Sequence, residues 1–351
     1  MKRQICRTAA AILAAAVLFP VPVRAEPAIS AHSAIVMDGA TGRVLWERNA
    51  RERALIASTT KIMTGLLAAE QCDLQAQIAI PAEAVGVEGS SLYLKEGERL
   101  SVEALLYGMM LHSGNDAAAA LAIYCAGSVP EFVETMNARA AELGLTGTCY
   151  ANPHGLDAED NYSTAYDLAV LTAAAMDNPT FHRVVSSKTA VFGTRQFTNH
   201  NKLLWRYEGA VGVKTGYTKS AGRILVSCAE RSGRRLIAVT INDPCDWEDH
   251  CRMLDYGFSA YEDRLLAEQG EIVAGVPVIG GAEEQAEAVT DRPICVPAAE
   301  NERTELRFEL PAFVYAPVLA GEQAGWLTVW IDGVKTAKAP LFWRETVMEE
   351  P

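Results

Sequence analysis

Three short motifs in one order constrain this chain of 351 residues more than any other feature: Ser58-Thr59-Thr60-Lys61, Ser113-Gly114-Asn115 and Lys214-Thr215-Gly216. At average residue frequencies about one S-x-x-K and about one S-x-N arise by chance in a chain this long, and K-T-G is roughly a one-in-ten event. Each occurs once here, so composition does not account for all three in this order. A fold that unites them gathers a hydroxyl nucleophile, a lysine one helical turn away, a second hydroxyl with an amide, and a cationic strand. That is the equipment of acyl transfer.

The surroundings assign each motif an element. After Ser58 the residues Ile62, Met63, Leu66 and Leu67 recur at helical spacing, which predicts a helix starting at or just before Ser58. A serine there can be a plain N-cap, but Lys61 at i+3 lies on the same helix face. It can accept the hydroxyl proton if burial lowers its pKa. Ser58 would then sit at the positive end of a helix dipole, near free backbone N–H groups. Ser113-Gly114-Asn115 falls between an apolar, Met-rich helix at residues 100–111 and a small-residue helix at 117–122. All three are turn formers; in the functional reading Ser113 relays a proton between Lys61 and the leaving nitrogen while Asn115 holds a substrate amide. His112 lacks an acidic orienter and is set aside as a base. Residues 211–217 read as a strand with glycine where backbone lies close to a ligand. Strands at 224–227 and 236–241, parted by the turn Arg231-Ser232-Gly233-Arg234, complete an antiparallel meander. Lys214 on an edge facing the Ser58 helix would attract a substrate carboxylate.

The rest of the chain bounds the setting. Lys2, Arg3 and Arg7, an apolar run over 9–19 and the ending Val23-Arg24-Ala25 predict a secretory signal peptide over residues 1–25. The run is short for a membrane span, and Pro20 and Pro22 break it. Cleavage takes the formal charge from −13 to about −17, which suits a soluble protein and disfavours nucleic acid. Lys214 and Lys219 could form a local basic site against this acidic background. Cys6 leaves with the signal, and seven cysteines remain: Cys72, Cys125, Cys149, Cys228, Cys245, Cys251 and Cys295. The odd number leaves at least one unpaired in a monomer; a Cys245 to Cys251 disulfide and buried free thiols both fit. With neither C-x-x-C nor H-E-x-x-H spacing, we expect no metal. Residues 33–38 and 43–47 read as strands around the turn Asp38-Gly39-Ala40-Thr41-Gly42.

With these motifs in place, the chain resembles the D-alanyl-D-alanine carboxypeptidase family of low-molecular-mass penicillin-binding proteins over about residues 30–345. The likeness includes Asn152-Pro153-His154-Gly155-Leu156, the segment Tyr162-Ser163-Thr164-Ala165-Tyr166-Asp167-Leu168-Ala169, and Asn199-His200-Asn201-Lys202-Leu203-Leu204. The resemblance implies an α/β (α+β) fold of the β-lactamase/transpeptidase type, an antiparallel sheet flanked by helices. A catalytic domain would span 26–262 and a small β-rich domain 270–344, with short strands at 272–279, 305–310 and 326–338, the last holding the turn Asp332-Gly333. It further implies that Ser58 attacks the carbonyl between two D-alanines of a peptidoglycan stem peptide, with Lys61 as proton acceptor and Ser113 passing the proton on. Asn115 would bind the substrate backbone, Lys214, Thr215 and Gly216 its carboxylate end, and the backbone N–H groups of Ser58 and Tyr217 the oxyanion. No cofactor is implied, and β-lactam antibiotics would acylate Ser58 covalently.

Two departures stand out. Tyr217 occupies a position where some members carry His, and after Leu341 the chain offers no convincing amphipathic membrane anchor, only a short acidic tail. The expectation is an exported enzyme, periplasmic, secreted or wall-associated. A class A β-lactamase would need a Glu-x-x-x-Asn deacylation motif between Ser113 and Lys214, and none is present. A β-lactam sensor would need membrane helices and an output domain, and a non-catalytic wall-binding protein would be expected to lose Ser58 or Lys61.

Overall fold

The computed structural model describes residues 26–351; the predicted signal peptide lies outside the described residues. The central sheet comprises β1 (Ser33–Asp38), β2 (Val44–Arg48), β3 (Ala210–Thr218), β4 (Gly222–Arg231) and β5 (Arg234–Ile241). Its order is β2-β1-β5-β4-β3 and every pairing is antiparallel. Side chains alternate across a strand, so each buried strand feeds two cores. Ile35, Met37, Val226 and Val239 face a large helical layer, whereas Ala34, Val36, Leu225 and Ala238 face the other side. Covering on both faces explains why these strands read as continuous apolar runs. Asp38 ends β1 by accepting from both the N–H (2.8 Å) and the hydroxyl (2.7 Å) of Thr41, which folds the Asp-Gly turn.

The helical layer holds α1 (Lys61–Gln71), α2 (Val102–His112), α3 (Asn115–Ala126), α4 (Val129–Glu142), α5 (Ala165–Asp177) and α6 (Pro179–Ser186). Their starts follow side-chain capping: Ser101 accepts from Ala104 N–H at 3.1 Å, and Thr164 from Asp167 N–H at 3.0 Å. Ser128 Oγ accepts from Glu131 N–H at 3.3 Å and donates to Glu131 Oε2 at 3.0 Å. The short α7 (Leu203–Arg206) packs on β3, and α8 (Asp246–Ala260) covers the opposite face of the sheet. A disulfide joins Cys72, at the end of α1, to Cys125 in α3. Cys245 and Cys251 are free, so the pair that spacing had left open does not form.

On α8, His250 is fully buried between Ser227 Oγ (2.6 Å) and Thr240 Oγ1 (3.0 Å). Burial pushes its pKa down to about 3, whereas the unfolded chain binds this proton near pH ~6.5. The stabilisation is therefore complete above pH ~6.5 and is lost as pH falls toward 3, at about 1.4 kcal/mol per pH unit. We expect the urea midpoint to fall over this window, with His250→Gln removing about one proton from the slope. An unchanged slope in the variant would contradict the assignment.

A second, smaller core follows α8. It is built from β6 (Glu262–Ala267), β7 (Ile272–Ile279), β8 (Gln285–Thr290), β9 (Ile294–Ala298), β10 (Thr304–Glu309), β11 (Val314–Tyr315), β12 (Gln323–Ile331) and β13 (Val334–Trp343). β6 pairs with β9, and the others form a sheet of order β10-β12-β13-β8-β7-β11. The core takes in Ala267 and Val347, so this unit is wider than residues 270–344. The Asp332-Gly333 turn has positive φ at both residues (47° and 81°), the backbone that a two-residue hairpin requires. Arg43, in the turn before β2, bolts the two units together. Its guanidinium donates to Pro297 O and Glu302 Oε1 and lies 5.2 Å from the Tyr261 ring. Among the described residues no single helix is long and apolar enough to cross a membrane.

Candidate active site

Ser58 lies in a 3-10 turn, Ala57–Thr60, and the α-helix proper starts only at Lys61. The helical spacing is right for α1, but Ala57 has a left-handed φ of 45°, so the chain enters through a tighter turn than apolar periodicity can report. Ser58 is half-buried and the lysine below it is fully buried. Lys61 Nζ lies 2.9 Å from Ser58 Oγ, 2.7 Å from Asn115 Oδ1 and 2.5 Å from His154 O. The amide and carbonyl oxygens can only accept. A neutral amine spends its two N–H groups on them and has one lone pair left for the Ser58 O–H. Burial, and next the charge of Lys214, hold the Lys61 ammonium well below its ordinary pKa, with the Asp116 carboxylate opposing.

His154 belongs to the segment 152–156, which wraps the turn that carries Ser58. Asn152 Oδ1 accepts from Gly155 N–H at 2.7 Å, and Asn152 Nδ2 donates to Leu156 O at 3.0 Å, closing a side-chain-supported turn. Thr64 Oγ1 anchors the turn to α1 through Pro153 O at 2.6 Å. Gly155, at φ 91°, lies so close to the Ser58 turn that a Cβ would stand 1.8 Å from Ala57 O.

Ser113 caps α2 in the left-handed region (φ 66°, ψ 26°). This reverses the chain before α3 and is an uncommon conformation for a residue with a Cβ. Its hydroxyl accepts from Lys214 Nζ at 3.1 Å. Among the described residues the hydrogen-bond partner of the Ser113 hydroxyl is thus Lys214. Asn115 Nδ2 donates one N–H to Glu88 O at 2.5 Å while Oδ1 receives Lys61. The side chain therefore orients Lys61, and the second N–H of its amide is left for a further partner. His112 is exposed, its ring 5.0 Å from that of His200.

Lys214 lies on β3, an edge strand, and is 1 % exposed. Burial brings its pKa down to about 7. Its Nζ also donates to Thr215 O at 2.9 Å, leaving a third N–H when protonated. Gly216 brings β3 against the Ser58 turn: a Cβ there would stand 3.2 Å from Ile56 O and 3.4 Å from Ala57 Cβ. The glycine of K-T-G is thus explained by close approach. Tyr217 follows with its ring exposed to solvent, and Thr218 Oγ1 next to it donates to Asp157 Oδ1 at 2.9 Å.

Sequence reasoning missed His154, which acts through a backbone carbonyl, and Asp116, a lone acid after the second motif. Only the Asn-Pro-x-Gly turn signature at 152–155 pointed toward the first. No group of three or more His, Cys, Asp or Glu among the described residues is arranged to hold a metal ion.

Comparison with known proteins gives one consistent result. The family profile described as D-alanyl-D-alanine carboxypeptidase (peptidase S11) matches residues 21–245, and that of the penicillin-binding protein 5 C-terminal domain matches residues 261–349. The chain is 33% identical over 336 residues to the D-alanyl-D-alanine carboxypeptidase DacF of Bacillus subtilis, covering 91% of this chain and 86% of that protein. It is 33% identical over 342 residues to DacD of Escherichia coli, covering 92% and 88%. Among solved structures, penicillin-binding protein 5 from Haemophilus influenzae superposes with a TM-score of 0.80 at 29% identity, covering 93% of this chain and 100% of the other.

Proposed function

Because the chain belongs to the D-alanyl-D-alanine carboxypeptidase family of serine peptidases, we propose that it removes the terminal D-alanine from peptidoglycan stem peptides through an acyl-enzyme on Ser58. The observation that carries this reading is the fully buried Lys61 Nζ, 2.9 Å from Ser58 Oγ with Asn115 Oδ1 and His154 O as its other partners; in the neutral amine those two oxygens take its N–H groups and its lone pair is left for Ser58.

The steps follow from this arrangement. Neutral Lys61 takes the Ser58 proton as Oγ bonds to the carbonyl carbon between the two D-alanines. The oxyanion rests on the backbone N–H groups of Ser58 and Tyr217. The third N–H of protonated Lys214, with the Thr215 hydroxyl, receives the substrate carboxylate, whose charge in turn favours the ammonium form. Gly216 keeps the strand close to the nucleophile turn. Ser113, accepting from Lys214, gives its own proton to the leaving nitrogen as the C–N bond breaks, and Lys214 refills it. D-Alanine leaves; Lys61 sheds its proton to solvent and Lys214 regains one. Water then attacks the ester, Lys61 takes its proton and returns it to Ser58 Oγ as the C–O bond breaks. A β-lactam enters the same first step, and its opened ring stays attached in place of the departing D-alanine.

We place this activity outside the cytoplasm on the strength of the predicted signal peptide. Purified protein incubated with diacetyl-L-Lys-D-Ala-D-Ala is expected to release D-alanine, and Ser58→Ala to lose this by at least about a thousandfold. No release by the intact protein, or equal release by the variant, overturns the reading.

A further inference from the structure

The second motif is followed by Asp116, an acid that is 1 % exposed and that no step above uses. Among the described residues its carboxylate has no cationic partner within salt-bridge distance. It accepts instead from the segment 91–94: from Leu92 N–H through both oxygens (3.0 and 2.9 Å), Leu94 N–H (3.1 Å) and Ser91 O–H (2.7 Å), and also from Ala117 N–H (2.9 Å). An ionised carboxylate accepting several N–H groups is a strong, directional clamp.

The clamped segment bears on the site through Asn115. Ser90 O accepts the Asn115 N–H at 2.7 Å, and Glu88 O accepts Asn115 Nδ2 at 2.5 Å. Between them Gly89 fits tightly: a Cβ there would stand 2.8 Å from Asn115 Nδ2. The far side of the segment is held by Arg195, which donates to Leu92 O at 2.7 Å and grips Glu98 through two nitrogens. A continuous set of contacts therefore runs from Asp116 through residues 88–92 to the Asn115 amide, and from its Oδ1 to Lys61 Nζ.

We propose that Asp116 is a positioning residue for the proton acceptor: by clamping residues 91–94 onto the start of α3 it fixes the Asn115 amide, and with it the direction of the Lys61 lone pair. The inference rests on Lys61 being the base. Asp116 also supplies a negative charge that opposes the effects of burial and Lys214 on Lys61. Its removal thus has two separable consequences, a looser acceptor and a lysine that stays neutral to lower pH.

The test is the pH profile of Ser58 acylation by a fluorescent penicillin, measured on the full mature chain for wild type, Asp116→Asn and Ser91→Ala. Ser58→Ala serves as control. The Asp116→Asn plateau is expected to fall about tenfold or more, while its acid limb moves to lower pH. A merely structural role would lower the plateau and leave the limb in place. Ser91→Ala keeps the charge and removes one clamp donor; it is expected to lower the plateau about two- to fivefold with the limb near its wild-type position. An unshifted limb in Asp116→Asn overturns the inference. If that variant does not fold, a wild-type plateau in Ser91→Ala overturns it instead. Labelling of the Ser58→Ala control would show that the underlying reading of the site has failed, a result distinct from either.

Discussion

Lys61→Met is expected to slow acylation of Ser58 by a β-lactam about a thousandfold or more, the scale on which removing a catalytic base acts. Methionine preserves much of the buried volume and removes the proton acceptor, so the protein should remain folded. Asn115 Oδ1 and His154 O then lose their donor, and a modest fall in stability should accompany the loss of rate. Lys61→Arg separates charge from basicity. The guanidinium can still donate to those oxygens but does not give up a proton near neutral pH, so it should be about as slow as Met. In the wild type, acylation should rise with pH along a limb set by Lys61, at a pKa well below that of a free lysine, because burial and Lys214 favour the neutral amine. Stopped-flow acylation from pH 5 to 10 measures all three. A fast Lys61→Arg variant would contradict the role of Lys61 as proton acceptor.

The second large effect is structural. Gly155→Ala places a Cβ 1.8 Å from Ala57 O and 3.0 Å from Ser58 N, at a φ of 91° that an L side chain rarely adopts. Something must move, and the neighbour is the backbone of the nucleophile turn. We expect a stability loss of about 3 kcal/mol or more, read as a drop in the urea midpoint. The acylation rate should also fall about a hundredfold in the protein that remains folded, since displacement of about 1 Å at a reacting centre has that cost. Wild-type rates in a stable Gly155→Ala variant would show that segment 152–156 does not position Ser58.

Much of this was legible in the residues because the motifs sit on elements with strong periodicity. The apolar residues of α1, the alternating cores of β4 and β5, and the glycine of K-T-G each state their surroundings plainly. Other features leave no pattern to read. The left-handed φ at Ala57 and Ser113 belongs to residue types that normally avoid it. His154 contributes a carbonyl, which every residue carries. The Lys214 to Ser113 hydrogen bond joins residues about a hundred positions apart, and local spacing says nothing about which of two lysines a serine meets. In the second unit, β8 (QAEAVT) alternates buried alanines with exposed polar residues, too weak an apolar signal to mark a strand. β6, following directly on α8, is easily taken for the end of the helix.

The proposed function makes Ser58 the nucleophile, served by the buried lysines. Its most direct test is to label the mature protein with a penicillin, digest it, and locate the adduct by tandem mass spectrometry in wild type and Ser58→Ala. One penicilloyl group on Ser58 and none in the variant is the expected result. An adduct on Ser113 or elsewhere, or labelling that persists in Ser58→Ala, would contradict it.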